Sequence, residues 1–133
     1  MPKKNVEKRE KKMYQLEFEF RSSIRILFNY LSTPSGLSDW FADDVTVHEN
    51  IYTFIWGKTF EEAELLSRKE PTTVRFKWVE NEPDTYFEFD IVTDDLTSDV
   101  ALIITDFAYE DEMNEQKLLW ESQIQNLKQT IGS

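Results

Sequence analysis

No cysteine occurs in this chain of 133 residues, which removes disulfides, thiolate metal sites and cysteine nucleophiles and suits a reducing cytoplasm. Histidine occurs once, as His48. Without a second imidazole or a thiolate it makes a poor zinc site. It would also have to serve any hydrolytic triad, for which Ser22, Ser23, Ser35 and Ser38 offer no nucleophile elbow. The three glycines are scattered, so no phosphate-cradling loop can be built from them. Apolar runs such as Val100 to Ile104 are far shorter than the roughly 20 residues that span a bilayer, and the first residues lack the apolar stretch of a secretory signal. A soluble, cytoplasmic protein without membrane insertion is expected.

Positive charge is scarce as well. The net charge is -11, yet residues 1–12 hold six basic side chains against Glu7 and Glu10, a local excess of +4. The other 121 residues carry nine basic and 24 acidic groups, a net of -15, which repels a phosphate backbone. Nucleic acid is therefore not an expected partner. The basic dozen has no apolar stripe and is expected to be a disordered tail that contributes little to folding, leaving residues 13–133 as a single domain. A domain of that size buries about two thirds of its unfolded surface and needs no covalent staple.

What is present is a strict order of periodic segments. Tyr14, Leu16, Phe18 and Phe20 alternate with Gln15, Glu17 and Glu19, which predicts a strand with one wet face. Ile24, Leu27, Phe28 and Leu31 follow at helical spacing behind the capping serines Ser22 and Ser23. Pro34 opens a second short helix, to Trp40, with Leu37, Trp40 and Phe41 as its apolar face. Six more strands are predicted: Val45 to Glu49, Ile51 to Trp56, Phe60 to Leu66, Thr72 to Val79, Thr85 to Thr93 and Val100 to about Phe107. The third of these conflicts with propensity, because Glu61, Glu62 and Glu64 favour a helix. From about Asp111 to Ile131 one stripe carries Met113, Trp120, Ile124, Leu127 and Ile131, which predicts a helix of about 30 Å. Glu110, Asp111 and Glu112 load its positive end.

Consecutive strands with short turns make an antiparallel meander, and the long last helix is the element large enough to cover its apolar face. The fold class is thus α+β, with a seven-stranded antiparallel sheet curved around a long C-terminal helix and two short helices after strand one. This order resembles the helix-grip fold of the START-like, or SRPBCC, superfamily. The segments Pro34-Ser35-Gly36-Leu37 to Trp40-Phe41, Asp99 to Phe107 and Leu119-Trp120 to Leu127 resemble the branch grouped with activators of a heat-shock chaperone ATPase. Small single-domain START-like proteins of Bacteroidetes-type bacteria are similar over about residues 13–131. The resemblance rests on residues that pack the core, so it implies a fold more than an activity.

Two kinds of site are weighed. Asp94, Asp95 and Asp99 share a loop, and Asp106, Glu110, Asp111 and Glu112 lie at the start of the last helix. Their spacing does not fit a calcium loop, and they read as solvated turn and helix-dipole carboxylates. Glu88 and Asp90 alternate with Phe87, Phe89 and Ile91 and should point outward, with Arg75 and Lys77 paired to surface carboxylates. No catalytic residue, metal ligand or cofactor is assigned, and no enzyme activity is expected. The second kind is apolar: Trp40, Phe54, Trp56, Phe76, Trp78, Phe89, Trp120 and Ile124 either pack a solid core or line a pocket between sheet and helix. The first function expected is non-enzymatic binding of a small hydrophobic molecule there. The alternative is a protein-interaction module or chaperone-associated regulator acting through the acidic surface, and cyclase or aromatase chemistry known elsewhere in the superfamily ranks third.

Overall fold

Alternating side chains along Lys12–Phe20 form strand β1, followed by helices α1 (Ile24–Ser32) and α2 (Pro34–Trp40), in a computed structural model that describes residues 9–132. Six strands then succeed one another: β2 (Asp44–His48), β3 (Ile51–Trp56), β4 (Thr59–Lys69), β5 (Thr73–Trp78), β6 (Phe87–Thr93) and β7 (Val100–Ala108). A 3-10 turn at Glu110–Glu112 leads into helix α3 (Met113–Ile131). The seven strands form one antiparallel sheet in the order β1-β7-β6-β5-β4-β3-β2. The meander expected from the sequence is present, with β1 added beside β7. Among the described residues no helix is long and apolar enough to cross a membrane.

Local chemistry sets the boundaries. Ser23 Oγ accepts from the backbone N–H of Ile26 at 3.1 Å and caps α1. Thr33 serves two helices at once, donating its hydroxyl to Asn29 O at 2.8 Å and accepting from Gly36 N at 3.0 Å. Thr33→Val keeps the shape and removes both bonds, so it should cost about 1 to 2 kcal/mol in urea unfolding. A loss below a few tenths would show that the corner between α1 and α2 holds without it. Gly132, in the left-handed region at φ 82°, closes α3 through its N–H to Lys128 O.

The Glu-rich run is strand, as expected. Glu61 to Glu64 pair with Ile51 to Phe54 of β3, and β4 continues past a bulge between Leu65 and Ser67. Burial of Ala63 against its neighbours outweighs the weak helical preference of exposed glutamates. The strand expected from Thr85 begins only at Phe87, because Thr85 Oγ1 donates to Glu82 O and folds into the preceding turn. The first turn of the last helix is likewise tighter than α-helical. On the outer face Arg75 pairs with Glu88 at 2.8 Å, a part-buried pair. Lys77 is a correction: it donates to the carbonyls of Asn81 and Glu82 rather than pairing with a carboxylate.

The expected tail overlaps the body at its C-terminal end. Lys12 is in β1, Lys11 donates to Asn81 Oδ1 at 2.6 Å, and Arg9 meets Asp111 and lies 4.0 Å from the Tyr109 ring centre. The rest of the expected tail, residues 1–8, lies outside the described residues.

The concave face of the sheet packs against α3. Val74, Phe76, Phe87, Phe89, Leu102 and Ile104 are fully buried there, beneath Trp120, Ile124 and Leu127 of the helix. Phe41, just after α2, joins this layer by stacking on Trp120 and Phe87, at centroid distances of 5.9 and 6.1 Å. Edge-to-face contacts continue through Phe54 to Phe76 and Trp78.

Candidate functional site

Strand parity decides which side chains face α3, and position along each strand decides how deep they lie. On β3 and β5 the inward sets end in Trp56 and Trp78, at one rim of the sheet. There the interior is no longer filled: a cleft of about 450 Å³ opens between that rim and the N-terminal half of α3. Glu112, Gln116, Leu119, Trp120 and Gln123 line it from the helix side. The β-sheet side supplies Trp56, Glu61, Trp78 and the end of β7 at Asp106, while Phe41 forms the back and Lys11 and Asn81 close one end.

Of the eight residues expected between sheet and helix, Trp56, Trp78 and Trp120 meet at this cleft. Phe54, Phe76 and Phe89 are fully buried, and Ile124 is 1 % exposed, so these four are solid core behind it. Trp40 is 5 % exposed, and its indole donates to Tyr30 O at 2.8 Å, pinning α2 to α1. It borders an adjoining, more open depression by Asp39 and Asn126 that shares Phe41, Trp56, Leu119 and Gln123 with the cleft. Parity places the five strand residues inward and helical spacing the other three, but neither carries depth, and depth separates a pocket wall from a core residue.

Asp106 is the polar centre of the cleft, which corrects its assignment to the solvated carboxylates. On β7 it follows Leu102 and Ile104 on the inward parity and is directly paired with Tyr14 of β1. Its Oδ2 accepts from Trp120 Nε1 at 2.9 Å and from the Tyr14 hydroxyl at 3.3 Å, and its Oδ1 accepts from its neighbour's backbone N–H, Phe107 N, at 2.7 Å. One carboxylate thus ties β1, β7 and α3 together. Burial pushes its pKa above the ordinary carboxyl value, against the opposing pull of the Trp120, Phe107 and Tyr14 hydrogen bonds and of Lys11. Tyr14 is raised too, chiefly by burial and then by the charge of Asp106. A charged residue on an apolar parity was the signal in the sequence, and Glu61, inward between Phe60 and Ala63, carries the same one.

The raised Asp106 value has a consequence for stability. The native state holds this proton more tightly than the unfolded chain, so this group favours folding most at low pH, and its contribution falls as pH rises from about 3.8 through the raised native value. Asp106→Asn does not titrate. The stability advantage of the wild type over this variant should therefore shrink with rising pH across that window and level off above it. Urea midpoints of both proteins at a series of pH values check this, and an advantage that grows with pH would refute it.

The rim is held by a small network. Asn81 Oδ1 accepts from Lys11 and from Glu82 N, and Tyr109 donates its hydroxyl to Glu82 Oε1 at 2.7 Å. Asp94, by contrast, is a turn former whose Oδ1 accepts from the backbone of Leu96 and Thr97, and those bonds lower its pKa. Glu110, Asp111 and Glu112 are exposed, as is His48. Among the described residues no group of three or more His, Cys, Asp or Glu side chains is placed to hold a metal ion.

A curved antiparallel sheet gripping a C-terminal helix, with a cleft at one end, defines the class, and the comparisons agree with it. Residues 8–133 match the START-like superfamily domain, and the chain belongs to that family. Similar solved structures include BfR322 of Bacteroides fragilis, 39 % identical with a TM-score of 0.65, with 90 % of each chain covered. The Aha1 dimer of Colwellia psychrerythraea is 16 % identical with a TM-score of 0.75, covering 90 % of this chain and 95 % of that one. CalU16 of Micromonospora echinospora is 16 % identical with a TM-score of 0.71, covering 91 % and 76 %. The last two likenesses show the fold alone. No curated protein matches the chain.

Proposed function

We propose that this protein is a non-enzymatic, cytoplasmic binder of a small molecule with a largely apolar body, held in the cleft between the sheet and α3. The observation that carries this reading is the convergence of Trp56, Trp78 and Trp120 on one space of about 450 Å³. That volume falls within the range of small-molecule sites, and the lining mixes aromatic faces with a few polar groups. The family fits, because START-like domains are mostly non-catalytic binding domains. The filled core behind the cleft keeps the guest from passing deeper between the sheet and α3.

The alternative, docking of a protein partner through the acidic surface, finds exposed Leu118 and Leu119 on α3 in its favour. Phe60 is exposed as well, but it is paired with Ile55 on the opposite face of the sheet and does not extend that patch. Native mass spectrometry of protein purified from its own host separates the two readings. A co-purifying small molecule that is lost in Trp78→Ala supports the binder. A stoichiometric protein partner retained by Trp78→Ala and lost in Leu118→Ser, a position outside the cleft lining, would replace it with the interaction module.

A further inference from the structure

The cleft has a sign. Glu61, Asp106 and Glu112 contribute three carboxylates to its lining, and Lys11 contributes the one basic group. Lys11 is engaged at the rim, donating to Asn81 and lying 5.3 Å from the Tyr109 ring centre. Among the described residues none of the three carboxylates has an ion-pair partner; the pairs formed are Arg9–Asp111, Arg68–Glu70 and Arg75–Glu88. The hydrogen bonds to Asp106 all come from neutral donors and the charge of Lys11 is the one positive influence on it, yet burial still holds its pKa above the ordinary carboxyl value. Trp56, Trp78 and Trp120 share the lining with these groups, and indole rings attract cations as well as apolar surface.

We propose that the guest of this cleft is an organic cation: a protonated amine or quaternary ammonium attached to an aromatic or short aliphatic body. This deepens the small-molecule reading and rests on it. An anionic guest would meet three carboxylates inside a body that is itself strongly acidic. A wholly apolar guest would take water from those carboxylates and return no partner. A cation with an apolar body satisfies both halves of the lining, with its charge toward Asp106 and Glu61 and its body against the indoles.

Three probes of one shape test this: 3-phenylpropylamine, 3-phenylpropanol and 3-phenylpropionate, titrated into the full chain at pH 7.5 and low salt. Calorimetry reads the affinity, and the indole N–H signals of Trp78 and Trp120 locate the site. The amine should bind about tenfold or more tightly than the alcohol, with the carboxylate weakest. That preference should shrink as salt rises, because part of it is Coulombic. In Glu61→Gln, an exposed change whose folding is checked by its amide spectrum, the amine should weaken several-fold while the alcohol is unmoved. Alcohol or carboxylate binding in the cleft as tightly as the amine overturns the cation proposal and leaves the small-molecule reading standing. If none of the three perturbs the indole signals at millimolar concentration, both fall.

Discussion

Trp120→Ala should destabilise the protein by about 3 to 5 kcal/mol, the range for removing a large aromatic side chain from a packed interior. Trp120 is 6 % exposed, stacks on Phe41 at 5.9 Å and meets Phe89 edge-on at 5.8 Å. Truncation removes the wall between the cleft and the packed Phe41 and Phe89, and takes from Asp106 its shorter side-chain hydrogen bond. Trp120→Phe keeps one ring for Phe41 but loses the donor together with the second ring of the indole; a cost below that of the alanine variant, about 1 to 3 kcal/mol, is expected. Urea unfolding followed by circular dichroism measures both, without relying on the fluorescence being altered. A cost near 1 kcal/mol for the alanine variant would mean that α3 is not seated on the sheet through this residue.

Gly36→Ala should be the next most damaging change, at about 3 kcal/mol. The side chain is small, but the position is crowded by backbone. A Cβ at Gly36 would run into Asn29 O, would stand 2.6 Å from Tyr30 Cα and 2.9 Å from Thr33 Oγ1, so α1 and α2 must part to admit it. Overpacking of this kind costs about 1 to 3 kcal/mol and sometimes more, offset in part by the better helix propensity of alanine. The same substitution at Gly57 is a control, because φ there is 59° with nothing within 4 Å, so only backbone strain of about 1 kcal/mol opposes it. Equal effects at the two glycines would show that the close approach of the helices is not the reason for Gly36.

Much of this architecture was legible because it depends on local periodicity. The alternation in Tyr14 to Phe20, the 3.6-residue stripe through Trp120, Ile124 and Leu127, and the turn residues between strands each reflect a physical period of the backbone. β4 was readable only from its neighbours: its glutamates prefer a helix, and the hairpin with β3 decides otherwise. The cleft was less legible. Trp56 and Phe54 share a parity, as do Trp78 and Phe76, yet one of each pair faces the cleft and the other is fully enclosed. What separates them is distance from the sheet rim and the volume filled by Phe41, a residue from outside both strands. Asp106 was misread for a related reason. Its neighbours in sequence are helix-start carboxylates, but its neighbours in space are Tyr14 and Trp120.

The pairing of β1 with β7 joins Lys12 to Ala108, and with them the first and last strands of the sheet in sequence. On the ribosome the first strand made is therefore the last to find its place. β2 to β6 can zip by short-range hairpins as they emerge, whereas the exposed edge of β1 must wait until β7 and the start of α3 have been synthesised. During that wait its outward Glu17 and Glu19 are the charges that keep an unpaired, apolar-faced strand from joining another copy of itself. Completion of the sheet and of the hydrogen bonds around Asp106 is consequently one late event, since Tyr14 and Asp106 face each other only once β1 has docked.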